Sequence, residues 1–202
     1  MKRLLFIIIA TLGAIGLSAA ETASDVLSKS IDKIKSAGSF TATCVLHSGG
    51  SAENGQLTMS GKSFRIEAKK FGVWYDGKTQ WTYSAASNEV NVTEPDAEEL
   101  AQINPLSVID YFRQNYTATF GTQKNGVKTV ILEAKKKGAD IKRADIQINS
   151  STMMPIGVDL ILSNGQKIAV TISNLKTGKA LPSSTFRYDK KYHPGAEIVD
   201  LR

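Results

Sequence analysis

Trp74-Tyr75-Asp76-Gly77-Lys78-Thr79-Gln80-Trp81-Thr82-Tyr83 is the stretch on which the reading of the chain turns. An aspartate-glycine pair between two runs of aromatic and β-branched residues predicts a tight hairpin with a two-residue turn of the primed type. With Asp76-Gly77 at the tip, Tyr75 opposes Lys78, Trp74 opposes Thr79 and Gly72 opposes Trp81. Side chains alternate along a strand, so Trp74, Trp81 and Tyr83 share one face, and Gly72 makes room for an indole. Val90 and Val92 continue as a further short strand.

Upstream, the same period of two recurs. Phe40, Ala42, Cys44 and Leu46 alternate with Thr41, Thr43 and Val45; Leu57 and Met59 repeat the pattern, and Phe64, Ile66 and Ala68 follow it. These segments are expected as antiparallel strands, with Ser48-Gly49-Gly50-Ser51 and Asn54-Gly55 as turn chemistry between the first two. Before them, Thr22 to Ala37 predicts one amphipathic helix: Ala23, Val26, Leu27, Ile31 and Ile34 recur at three- and four-residue spacing. Ser24 or Thr22 suits its cap, Asp25 its first turn, and Gly38 a left-handed stop. Met1-Lys2-Arg3, the apolar run Leu4 to Leu17 and Ser18-Ala19-Ala20 read as a secretory signal peptide cleaved near Ala20. Its removal leaves 182 of 202 residues, takes away Lys2 and Arg3, and lowers the formal charge from +6 to +4. Residues 21–202 then form a single domain.

Downstream, Asp96 to Leu100 and a second segment opening at Asn104-Pro105 predict two short helices. The second is apolar through Leu106, Ile109, Tyr111, Phe112 and Tyr116. Val130, Leu132 and Ala134, a turn at Lys137 to Asp140, and Ala144, Ile146 and Ile148 form another hairpin. Asn164-Gly165 joins Ile156–Ser163 to Gln166–Asn174. With Ile161, Ile168, Val170 and Ile172 on one side and Ile156, Val158, Leu160 and Leu162 on the other, that hairpin reads as covered on both faces. About ten strands, one leading helix and a helical insertion make an α+β, mainly β chain.

Reactive chemistry is sparse. His47 and His193 are the only histidines, and neither has partners at metal-ligand spacing. No phosphate loop, serine elbow or nucleotide fingerprint occurs, so neither catalysis nor a cofactor is expected. The lone Cys44 excludes an internal disulfide and reads as a small apolar residue. Lys135-Lys136-Lys137 and Lys142-Arg143 flank a turn, without the interleaved aromatics of a nucleic-acid platform, and read as a hydrated hairpin tip. A curled sheet of this kind either fills its hollow with side chains or keeps room for a ligand.

The hairpin with its Asp76-Gly77-Lys78 turn, the leading helix, the Asn104-Pro105 opening, the late Asn164-Gly165 turn and the ending Tyr192-His193-Pro194-Gly195-Ala196-Glu197-Ile198-Val199-Asp200-Leu201 together resemble the periplasmic outer-membrane lipoprotein carrier (LolA) family. The resemblance covers nearly all of the chain after the signal peptide. It implies an open, unclosed antiparallel β-barrel of about ten or eleven strands, with lid helices over a hydrophobic cavity. It further implies a monomeric periplasmic chaperone whose partners are acylated lipoproteins, an inner-membrane lipoprotein-releasing transporter and an outer-membrane acceptor or the outer membrane itself. Trp74, Trp81, Tyr83, Val90 and Val92 are the expected wall of the lipid cavity, and Leu106, Ile109 and Phe112 its lid. Where the family's best-known members carry a lid-latching arginine, Met59-Ser60-Gly61-Lys62 has none. A carrier or sensor of another amphiphile on the same fold is the competing reading.

Overall fold

The structure is a computed structural model and describes residues 20–96, 99 and 111–202. One helix, α1 (Ala23–Lys35), precedes twelve strands. Thr22 caps α1 through a reciprocal box: its hydroxyl accepts the Asp25 N–H (3.1 Å), and the Asp25 carboxylate accepts the Thr22 N–H (2.9 Å). The helix ends two residues before the expected Ala37. Gly38 is not its left-handed stop. A Cβ there would lie 2.6 Å from the Ala180 nitrogen, so the glycine serves a close backbone approach.

The strands are β1 (Ser39–Ser48), β2 (Ser51–Ser60), β3 (Ser63–Ala68), β4 (Phe71–Tyr75), β5 (Gln80–Ser84), β6 (Glu89–Thr93), β7 (Tyr116–Lys124), β8 (Val127–Ala134), β9 (Ile141–Asn149), β10 (Pro155–Leu162), β11 (Lys167–Gly178) and β12 (Glu197–Asp200). They form one sheet in the order β12-β6-β5-β4-β3-β2-β1-β11-β10-β9-β8-β7. All its pairings are antiparallel except β12 with β6. Its two ends do not meet, which makes the expected unclosed barrel, with twelve strands where about ten or eleven were expected.

Three turns depart from the sequence reading, with different consequences. In the β4–β5 hairpin the two-residue loop is Gly77-Lys78: the Asp76 N–H donates to the Thr79 carbonyl (3.2 Å), and Gly77 takes φ +105° at the first central position. Asp76 sits outside the loop because its carboxylate accepts the N–H groups of Lys78 (3.1 Å) and Thr79 (3.0 Å). Trp74 therefore opposes Trp81, and Gly72 opposes Tyr83. The shift is two residues, so the sides are preserved. The indole that Gly72 admits belongs to Trp74, whose ring a Cβ would overlap.

At the β10–β11 turn the loop has three residues, Ser163-Asn164-Gly165, closed by the Leu162 N–H to the Gln166 carbonyl (2.9 Å) with Gly165 at φ +84°. That odd shift pairs Val158 with Val170 and Leu160 with Ile168, which puts these four apolar residues on one side and leaves Ile161, opposite Lys167, on the other. The other side carries Gly157, Asp159, Ala169 and Thr171, so the hairpin is not apolar on both faces. Finally, Asn54-Gly55 lies inside β2. The turn before it is Gly49-Gly50, both with positive φ.

The ladder divides the sheet into two faces. On one lie Tyr75, Phe64, Met59, Phe40, Cys44, Leu46, Val170, Val158, Ile146 and Val130, linked pair by pair or by alternation along a strand. Helix α1 packs on this face: Val26, Leu27 and Ile31 join Val130, Leu132, Ala144, Ile148, Phe112 and Tyr116 in one core. The opposite face carries Trp74, Trp81, Tyr83, Val90 and Val92. It is crossed by the C-terminal tail, residues 179–196, which contains 3-10 turns at Ser183–Phe186 and Lys190–Tyr192 before β12 pairs with β6.

Candidate functional site

The helix face carries an apolar groove. Alternation in four neighbouring strands points Cys44 and Leu46 of β1, Leu57 of β2, Ile66 and Ala68 of β3, and Phe71 of β4 into it, with Val170 of β11 closing one side. Its volume is about 260 Å³. Gly55 lies in the floor opposite Cys44. A Cβ there would stand 3.1 Å from the Glu67 carbonyl, so this position favours glycine and the floor stays low. Burial raises the Cys44 thiol's pKa, so the group stays protonated and acts as wall, not nucleophile.

The groove has a closed end and an open end. Phe40, Met59, Phe64 and Tyr75 pack together at the closed end, with the Phe64 and Tyr75 rings 5.6 Å apart. At the open end Leu46 and Phe71 are 36% and 38% exposed, large apolar side chains held in water at a mouth. Among the described lining residues the one ionisable carboxylate, Glu53, is on that rim. It accepts the Lys70 N–H (3.1 Å) and lies 3.8 Å from the Lys70 ammonium. The described residues of the arrangement offer burial to an apolar chain. A second hollow of about 470 Å³ lies at the same end, beside His47, Ser48, Asp159 and Lys167. It is larger, but its charged and hydroxyl side chains make it the poorer host for an acyl chain.

The residues expected from sequence fall in three places. Trp74, Trp81, Tyr83, Val90 and Val92 are brought together on one face, but it is the face turned away from α1 and from the groove. There Trp74, Tyr83 and Val90 form a packed core with Tyr188 and Ala196 of the tail, with Trp81 against it and Val92 buried nearby. His193 stacks on Tyr83 with ring centroids 3.5 Å apart, and Trp74 meets Tyr188 at 5.1 Å and Tyr192 at 5.8 Å. Burial lowers the His193 pKa, with the Glu67 carboxylate pulling the other way. Phe112 is buried beneath α1, its ring 4.6 Å from Tyr116. Leu106 and Ile109 lie outside the described residues, as does the Asn104-Pro105 helix start. Asp96 and Glu99 do exchange capping bonds, the Glu99 N–H to Asp96 (2.9 Å) and the Asp96 N–H to Glu99 (3.1 Å).

Sequence reading missed the groove lining Leu46, Leu57, Ile66, Phe71 and Val170 as a site, although it had placed most of them in alternating strands. Arg65 opposes Trp74 on the tail face and lies 2.8 Å from Glu67, turned away from α1. Among the described residues, no three histidine, cysteine or carboxylate side chains gather as metal ligands, and no helix is long and apolar enough to cross a membrane.

An unclosed twelve-stranded barrel with an apolar groove on its helix-covered face places the protein in a class of β-barrels built around an apolar hollow. The family model described as outer membrane lipoprotein carrier protein LolA matches residues 14–166, and the chain belongs to that family. No protein of curated function matches it. Among solved structures it is similar to an uncharacterised conserved protein from Thermus thermophilus, with a TM-score of 0.59 and 12% identity over 88% of this chain and 98% of that one. It is also similar to a chain of the Pseudomonas aeruginosa MucA/MucB complex, with a TM-score of 0.54 and 14% identity over 88% of this chain and 63% of the other. At such identities the likeness is one of fold.

Proposed function

We propose that the protein is a periplasmic carrier, reaching that compartment by a signal peptide cleaved near Ala20 and folding as one domain over residues 21–202. It takes acyl chains of lipoproteins into the helix-face groove and ferries them from an inner-membrane releasing transporter to an outer-membrane acceptor or the outer membrane itself. The observation that carries this reading is the groove, apolar from Phe71 and Leu46 at its mouth to Met59 and Phe64 at its closed end. Each methylene withdrawn from water contributes about 0.8 kcal/mol, so even half a fatty chain held there gains several kcal/mol with no bond formed. Cargo held by burial alone leaves again when a more apolar host is offered, as a carrier requires. In this reading Trp74, Trp81, Tyr83, Val90 and Val92 hold the tail and do not touch cargo.

A groove of about 260 Å³ lies just under the roughly 300–1,000 Å³ of typical ligand pockets. That favours one chain at a time, and a carrier of another single-chain amphiphile is the second reading. Displacement of an environment-sensitive fluorescent fatty acid from the purified protein tests both. Leu46→Glu and Phe71→Glu, at positions where the new carboxylate can reach water, are expected to abolish uptake with unchanged circular dichroism. Undiminished uptake in both variants, or none in the unaltered protein, removes the groove from the account. Lipoprotein or free lipid recovered in organic extracts then separates the two cargoes.

A further inference from the structure

The turn between β8 and β9 lies at the end of the barrel where the groove opens. The Ser163 N–H donates to the Asp140 carbonyl (2.8 Å), tying that turn to the β10–β11 loop, and Gln166 Nε2 donates to Ser48 Oγ (2.9 Å), tying the loop to the β1–β2 turn. Two residues before Ser48 along β1 is the groove-mouth position Leu46, and directly across the ladder from Leu46 is Glu53. The β8–β9 turn also docks on residues 111–115, which are helical. The Lys135 N–H donates to the Asn115 carbonyl (3.0 Å), Lys135 Nζ donates to the Gln114 carbonyl (2.8 Å), and Asn115 Nδ2 donates to the Tyr111 carbonyl (3.0 Å).

This contact joins the basic β8–β9 turn to the segment that carries an exposed ring. Lys136, Lys137 and Lys142 are exposed and have no carboxylate partner among the described residues, Lys135 spends its ammonium on a neutral carbonyl, and Arg113 is exposed on the helical segment to which Lys135 is bonded. Tyr111 stands 52% exposed, braced edge-on against Phe112 at 6.2 Å and Tyr116 at 6.1 Å. Among the described residues the nearby acids do not cancel the patch: Asp145 is taken by Arg143 (2.6 Å), Glu133 lies 4.0 Å from the same guanidinium, and only Asp140 sits within the turn.

We propose that this rim, Tyr111 with Arg113, Lys135, Lys136, Lys137 and Lys142, is a docking surface for an anionic lipid bilayer. Lysines on a turn tip are mobile point charges, suited to a fluid array of headgroup phosphates more than to the fixed geometry of a folded acidic partner. A half-exposed tyrosine among them matches the amphipathic ring that settles at headgroup depth. Docking by this rim turns the groove mouth toward the membrane, where an acyl chain passes between bilayer and groove without crossing open water. The docking itself does not depend on the groove holding an acyl chain.

Sedimentation with phosphatidylcholine vesicles, with and without a third of phosphatidylglycerol, tests it on the purified full chain. Binding is expected to the anionic vesicles only, and to fade as salt is raised. Each lysine near such a surface contributes roughly fivefold in affinity, so K135E/K136E/K137E is expected to lose binding by on the order of a hundredfold or more. Tyr111→Ala is expected to weaken it less, without changing its salt dependence. Fluorescent fatty acid uptake is expected to survive in the lysine variant, which separates failure of the docking surface from failure of the carrier reading. Equal binding to both vesicles, no binding to either, or unchanged binding in the triple variant overturns the proposal. So does tight capture of a polyglutamate peptide by a protein that ignores anionic vesicles, an outcome that assigns the patch to an acidic partner.

Discussion

The two halves of the sheet have opposite polarity. In β7–β11, β1 and β2, the buried apolar side chains such as Val130, Leu132, Ala144, Ile148 and Met59 face α1, while the other face carries Thr41, Thr43, Thr58, Thr129 and Thr171 among half-buried Val45, Ile131 and Ile161. In β5 and β6 the pattern inverts. Gln80, Thr82, Asn91 and Thr93 take the helix face, while Trp81, Tyr83, Val90 and Val92 face the tail. β4 lies at the crossover and is apolar both ways, with Val73 and Tyr75 on one side and Trp74 on the other. The difference follows from what covers each half: a helix on one side of the barrel wall, the C-terminal tail on the other. A strand's apolar side is turned toward whichever element can withdraw it from water.

The sharpest way to break this comparison is to remove one anchor from each half. Trp74→Ala empties a site 1% exposed and strips the tail of its contacts at Tyr188, Tyr192 and His193. Its expected cost is about 3–5 kcal/mol, seen as a lowered denaturation midpoint. Leu132→Ala beneath α1 is expected to cost about 2–5 kcal/mol. If the halves are covered independently, hydrogen exchange at β12 accelerates far more in the first variant than in the second. Equal acceleration in both would mean one undivided core.

Gly72→Ala drives a methyl into the Trp74 ring and is expected to cost about 1–3 kcal/mol, with the loss again confined to the tail side. Acid sharpens the contrast further. His193 is held neutral by burial, so its contribution is complete above its ordinary pKa of 6.5 and is lost as pH falls through the lower folded value. Burial would raise the Asp76 carboxyl, but N–H bonds from Thr79 and Lys78 and the Arg187 guanidinium at 2.9 Å outweigh it and hold the pKa below 3.8. Its contribution is therefore present above 3.8 and lost at still lower pH. Tryptophan fluorescence and β12 amide exchange are expected to report the tail loosening on acidification before α1 does. The smallest effect is expected from Thr22→Ala, about 1 kcal/mol from the loss of a helix cap, with the tail untouched.

Much of this was legible residue by residue. The spacing of Val26, Leu27, Ile31 and Ile34 marked the buried stripe of α1, and Thr22 with Asp25 marked its start. The turn pairs were less dependable guides. Asp76-Gly77 misplaced its loop by one position, which moved the register by two and left Trp74, Trp81 and Tyr83 on a common side. Asn164-Gly165 closed a loop one residue longer than expected, and that single residue turned one strand of the hairpin over relative to the other. β7 and the Asn125-Gly126 turn after it were missed, because the apolar run through Tyr116 reads as helix until the tertiary contacts of Tyr116 are known.

The amino-acid order alone thus determined the class of each segment, the helix cap, the family resemblance and, in most strands, which neighbours share a side. Alternation is local and survives any rearrangement of the rest of the chain. It is silent on which side looks inward, since that depends on loop length and on which distant element lies across the strand. Only the tertiary structure decided that the tryptophans hold the tail and that Cys44, Leu57, Ile66 and Val170 line the groove. Those assignments rest on α1 and residues 179–196, which lie far from most of the strands they cover in sequence and next to them in space.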